Sequence, residues 1–105
     1  MKKGDIVLTL FPFTDLSGIK RRPALVLYSG KEDIILSFIT SNIEHINEFD
    51  LVIYPNQFNK LKVTSAIRVS KIATIHKSLI IGKVGEIGND VENQIDILLQ
   101  RLLKI

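Results

Sequence analysis

Between Asp5 and Pro12 nearly every position is apolar, with Ile6, Leu8 and Leu10 on one side of an extended segment and Val7, Thr9 and Phe11 on the other. That alternation predicts a strand, and Pro12 can lie only at its end or edge. Thr14 to Gly18 supplies turn-forming residues, and the polar stretch runs on through Lys20, Arg21 and Arg22 to Pro23. A second strand is predicted over Ala24–Tyr28. A third, Ile34–Thr40, is apolar on both faces and therefore central. A short strand Leu51–Ile53 ends at Tyr54–Pro55–Asn56, and Asn59–Val63 reads as a loop. Alternation resumes over Ala66–Ile72, with Ile67, Val69 and Lys71 on one face and Arg68, Ser70 and Ile72 on the other. A last strand is expected at Ile80–Ile87, where Gly82 and Gly85 permit a bend or bulge.

The period then changes. Val91, Ile95, Leu98, Leu99, Leu102 and Leu103 fall on one helical stripe, with Asn89 as the expected cap. Asp90 and Glu92 suit the positive end of the helix dipole, and Arg101 and Lys104 the negative end. Strands first and one closing helix predict a single small, mostly β domain over residues 1–105, its curled sheet plugged by the helix.

Composition narrows the class. With 105 residues, 46% hydrophobic and 24% charged, the chain can bury a core and is not of the disordered kind. The absence of cysteine excludes disulfides, thiolate catalysis and cysteine-ligated zinc. No secretory signal is read at the N-terminus, and no apolar run approaches the roughly 18 residues of a membrane span. The cytoplasm is the expected location, with no membrane partner. The formal charge of +3 is mild, but its distribution is uneven: no Asp or Glu occurs between Leu51 and Gly85, where Lys60, Lys62, Arg68, Lys71, Lys77 and Lys83 all lie. Such segregation suits a polyanion, and equally suits solvated lysines on strand edges.

The candidate chemistry is arginine with hydroxyls. His45 and His76 lie far apart without carboxylates at ligand spacing, and no glycine-rich phosphate loop is present, so no metal or cofactor is expected. Arg22 precedes Pro23, which restrains the backbone; Thr40 and Ser41 end one strand; Arg68 and Ser70 share a face of another. Converging on one phosphate, Arg22, Thr40, Arg68 and Ser70 could cleave RNA without a metal. The ribose 2′-hydroxyl is the nucleophile, and the protein need only orient it and stabilise the phosphorane. Arginine binds phosphate oxygens in two-point fashion and is a poor base. Asp15, Ser17, Lys20, Arg21 and Ser41 are the candidate RNA-binding residues around that centre. Each has a plainer role: Arg22 covering a barrel end or pairing with Asp15, Thr40 bonding its own backbone, Arg68 facing solvent. Arg22 and Thr40 must be close enough to straddle one phosphodiester for the cleavage reading to hold.

The stretch GDIVLTLFPFTDLSGIKRRPALVL resembles the start of the MazF/PemK (Kid-like) toxins of bacterial type II toxin–antitoxin modules. Its carriers are Gly4–Asp5–Ile6–Val7, Phe11–Pro12–Phe13 and Lys20–Arg21–Arg22–Pro23–Ala24–Leu25–Val26, joined later by Ile39–Thr40–Ser41, Ser65–Ala66–Ile67–Arg68–Val69 and Ile81–Gly82–Lys83–Val84–Gly85. The resemblance implies a small curled SH3-like, PemK-type β-barrel with a C-terminal helix, packed as a homodimer. It implies a sequence-specific, metal-independent endoribonuclease that cuts single-stranded mRNA, leaving a 2′,3′-cyclic phosphate. A cognate antitoxin would be its partner, and operator DNA would be bound only through that antitoxin. Arg22 and Thr40 correspond to the family's arginine before proline and its third-strand threonine, and Arg68 to the later arginine. PemK-like members can carry aspartate two residues beyond that arginine, where this chain has Ser70, so the proton acceptor stays unassigned and Asp15 is a candidate replacement. The alternatives are a CcdB-like gyrase poison, resting on the apolar Leu102–Leu103–Lys104–Ile105 end, and a non-catalytic nucleic-acid-binding barrel.

Overall fold

The computed structural model describes residues 1–12 and 19–105. Six strands, β1 (Asp5–Pro12), β2 (Ile19–Ser29), β3 (Asp33–Thr40), β4 (Asp50–Ile53), β5 (Ser65–His76) and β6 (Ile80–Glu86), precede one helix, α1 (Asn89–Leu103). They form one antiparallel sheet in the order β4-β5-β3-β2-β1-β6. The mostly β architecture with a closing helix is the one the alternation implied, and the barrel stays open, with β4 and β6 as its edges.

Both faces of the central strands are buried. Ile6, Leu25, Ile39, Ile67 and Val69 pack with Ile53 and with Ile95 of α1, while Val7, Ala24, Val26, Ile34, Leu36 and Ile75 form a second cluster. Adjacent residues such as Ile6 and Val7 therefore serve opposite cores, which is why β1 lacks the apolar-in, polar-out contrast of a surface strand. On α1, Ile95 is the buried residue, with Val91, Leu98 and Leu99 packed beside it, whereas Leu103 at the end of the stripe is 54% exposed. The helix is capped by Gly88 rather than Asn89, without a side-chain bond, and it closes on Lys104 in the left-handed region.

A loop spans the gap between the two sheet edges. Asn59, only 4% exposed, organises it: its Oδ1 accepts from the backbone N–H groups of Asn56 and Leu61, and its Nδ2 donates to the carbonyl of Tyr54. The loop is tied to β6 by a bond from the Glu86 N–H to the Phe58 carbonyl (3.0 Å). Gly85 allows this approach, since a Cβ there would stand 2.4 Å from the Asn59 carbonyl oxygen and 2.5 Å from that of Phe58. Gly85→Ala must displace backbone, and a stability loss of about 1–3 kcal/mol is expected in chemical denaturation. A neutral result would show that the loop yields freely.

At the same edge, the nearly buried Asp5 carboxylate contacts Lys2 (3.0 Å) and Lys83 (3.3 Å). Burial pushes its pKa up, but the Lys2 side chain and N–H together with Lys83 outweigh this and hold it below the ordinary 3.8. A depressed folded-state pKa means that the stabilisation is complete above the unfolded value and disappears as pH falls through the folded one. Thermal melts from about pH 6 down to about pH 2 should show an acid loss that Asp5→Asn flattens. Parallel profiles for the two proteins would refute the assignment.

Candidate functional site

Arg22 lies within β2, not in a turn. Lys20, Arg21 and Arg22 pair with Phe11, Leu10 and Thr9 of β1, so the strand starts five residues earlier than Ala24. The fully buried Thr9 hydroxyl donates to the Arg22 carbonyl (3.0 Å), fixing the backbone from which the guanidinium projects. Pro23 has no N–H, and the ladder from β2 to β3 begins only at Ala24 and Phe38. A depression of about 200 Å³ opens beside this stretch, lined by Arg22, Phe38, Ile39, Thr40, Arg68 and Lys71.

Three of the four expected central residues, Arg22, Thr40 and Arg68, therefore meet around one depression, although they come from three strands. Ser70 is not among its lining residues. The Thr40 hydroxyl accepts from the Asn42 N–H (3.1 Å), the local bond typical of a strand-end threonine, and its own hydrogen can still donate outward.

The cause of Ser70's displacement also brings in Lys71. Between paired positions β3 advances from Ser37 to Ile39 while β5 advances from Ile67 to Ile72, so β5 carries three extra residues. In a regular strand, residues three apart face opposite ways; across this irregularity Arg68 and Lys71 line the same depression. The bulged backbone is satisfied at Val69, whose N–H donates to the Phe49 carbonyl (3.1 Å) and whose carbonyl accepts from the buried Ser37 hydroxyl (3.2 Å). The expected grouping of Lys71 with Ile67 and Val69 is corrected accordingly. An aromatic, Phe38, completes the wall, and nothing in local alternation marked either residue.

A second depression of about 400 Å³ adjoins the first through Arg22 and is lined by Lys20, Arg21, Arg22, Pro23, Ile39, Ser41, Leu61, Lys62, Val63 and Ser65. Of the five outer candidates, Lys20, Arg21 and Ser41 lie here. Asp15 and Ser17, with Thr14, fall outside the described residues. Lys62 is added by the loop that Asn59 organises.

Behind Arg68 lies a residue the sequence did not flag. Asp50 pairs with Arg68 across β4 and β5, and its carboxylate, 1% exposed, stands 3.5 Å from the Arg68 Nε. The distance is that of an ion pair, yet neither Oδ1 nor Nε makes a hydrogen bond among the described residues. His76, at the far end of β5, accepts from the Ser78 N–H (3.1 Å) and stays exposed as a turn residue. Among the described residues no group of three His, Asp or Glu could hold a metal ion, and no helix is long and apolar enough to cross a membrane.

The fold and this site define a small antiparallel β protein with a cationic, hydroxyl-bearing depression lined from β2, β3 and β5. MazF from Deinococcus radiodurans shares the fold with a TM-score of 0.78 at 21% identity, over 100% of this chain and 97% of that one. A chain of the MazE–MazF complex from the same organism matches with TM-score 0.78 at 23% identity, over 100% and 97%. An endoribonuclease solved with its cognate antitoxin, from a mycobacterial species, gives 0.73 at 15% identity over 100% and 94%. Curated protein sequences give no significant match. The profile of the PemK-like, MazF-like toxins of type II toxin–antitoxin systems matches residues 2–103, and the chain belongs to that family.

Proposed function

We propose that this toxin is a sequence-specific, metal-independent endoribonuclease that cuts single-stranded mRNA by attack of a ribose 2′-hydroxyl on the adjacent phosphate. The observation that carries the reading is the meeting of Arg22, Thr40 and Arg68 around one depression. The O2′–P bond forms as the P–O5′ bond breaks, leaving a 2′,3′-cyclic phosphate and a 5′-hydroxyl. Arg22 and Arg68 stabilise the charge on the phosphorane oxygens, and the Thr40 hydroxyl donates to a non-bridging oxygen. Lys71 adds positive potential, and Phe38 offers an aromatic surface to a neighbouring base. The 2′-hydroxyl loses its proton as it attacks and the leaving 5′ oxygen gains one, and among the described residues of that depression no carboxylate or imidazole stands to carry either. Ser70 has no role in this scheme. Lys20, Arg21, Ser41 and Lys62 hold the flanking nucleotides in the second depression.

The functional unit on this reading is a homodimer, and a cognate antitoxin restrains it; the endoribonuclease and MazF relatives solved with antitoxins support that partner. Incubation with a long single-stranded RNA in EDTA tests the activity. Discrete fragments ending in cyclic phosphate are expected. Binding without scission would favour a non-catalytic nucleic-acid-binding protein, and trapped gyrase–DNA complexes a topoisomerase poison.

A further inference from the structure

We infer that Asp50 is a positioning residue for Arg68, acting through that arginine rather than on RNA; this rests on the cleavage reading above. The two residues are direct partners across β4 and β5 and share one face of the sheet, but only the arginine reaches the depression. Arg68, with its side chain 31% exposed, borders the cationic depression, whereas Asp50 borders a separate recess beside α1 with Glu48, Leu51, Gln94, Ile97 and Leu98. The carboxylate is anchored on its other oxygen, where Oδ2 accepts from the Asn47 N–H (2.9 Å) at the entry to β4. Its position is therefore set by backbone, and Oδ1 is left 3.5 Å from the Arg68 Nε with no other partner among the described residues.

Contact through Nε has a chemical consequence. A guanidinium presents two parallel-donor edges, and only the one formed by the two terminal nitrogens leaves Nε out. With Nε turned toward Asp50, that terminal edge is the one offered to a phosphate. An arginine without such a partner distributes itself over many rotamers, and ordering them costs binding energy in the transition state. Stability alone does not account for the pair, because an ion pair removed from water commonly breaks even against apolar replacement. The neighbouring bulge gives the arrangement its value: the extra residues of β5 detach this segment from strict β3 register, so alignment must come from β4.

The test combines a kinetic cycle with a direct probe of the contact. Single-turnover cleavage by Asp50→Asn should fall about 10²-fold, the scale of a small misplacement of a catalytic group, while RNA affinity changes little; the melting temperature is followed separately, because deleting one partner of a pair removed from water is itself destabilising. Arg68→Ala should fall at least as far, and the double variant no further than Arg68→Ala alone. Independently, the Arg68 Nε–H signal in 15N NMR should be protected from water exchange in the wild type and lose protection in Asp50→Asn. Wild-type cleavage with an undiminished Asp50→Asn, or additive losses, would overturn the positioning role while leaving the nuclease reading intact. Absence of wild-type cleavage would remove the nuclease reading, and the NMR signal would still decide the contact. If Asp50→Asn does not fold, an unprotected wild-type Nε–H overturns the inference by itself.

Discussion

Replacing Arg22 with alanine is expected to slow single-turnover RNA cleavage by about 10²–10³-fold, the usual consequence of deleting one preorganised donor to transition-state charge. Arg22 has the strongest claim because it alone among the arginines borders both depressions, so it can meet the scissile phosphate and steer the flanking backbone. Its main chain is fixed by the buried Thr9 hydroxyl and by pairing with β1, neither of which depends on its side chain. Arg22→Lys separates charge from geometry: it keeps the positive charge without the planar fork, and it should recover RNA affinity more than rate. Circular dichroism and melting curves establish that both variants fold. A folded Arg22→Ala protein that cuts RNA at the wild-type rate would remove the guanidinium from the mechanism.

Affinity for an uncleavable, 2′-O-methylated RNA should fall steeply with salt. Lys20, Arg21, Arg22, Lys62, Arg68 and Lys71 surround the two adjoining depressions. Single-stranded nucleic acid releases counterions with a log–log slope of about −0.7 per phosphate neutralised, so about six contacts give a slope near −4. The corresponding loss is between about 10² and 10³ in affinity from 50 to 200 mM salt. Lys62→Ala should make the slope shallower by about 0.7 without altering which sequence is preferred, since a phosphate contact positions and does not specify. The overall charge of +3 would not produce such a dependence; the gathering of these six cations around two adjoining depressions would. A slope near zero would mean that RNA does not follow these depressions.

Much of the fold was legible because alternation and helical period are local properties. The strand cores at Ile34–Thr40 and Ala66–Ile72, the end of β1 at Pro12 and the stripe around Ile95 could all be read from neighbouring residues. The start of β2 could not. Three consecutive cations before a proline have turn-like composition, and they are strand only because Thr9, Leu10 and Phe11 pair with them. The cap shifted from Asn89 to Gly88 for a related reason: the Ile87 N–H donates to the Gly4 carbonyl (2.9 Å), so tertiary contact sets where the chain turns into α1.

The candidate site divides along the same line. Residue types by themselves determined its chemistry: guanidinium and hydroxyl groups, no thiol, and a positive stretch free of carboxylates, because those properties belong to side chains wherever the chain puts them. Tertiary structure alone decided membership. The register shift in β5 turned Lys71 toward Arg68 and left Ser70 out of the depression, and the pairing of β4 with β5 set Asp50 behind Arg68. Register depends on hydrogen bonds between segments distant in sequence, and one irregularity in it reverses the face of every residue it moves.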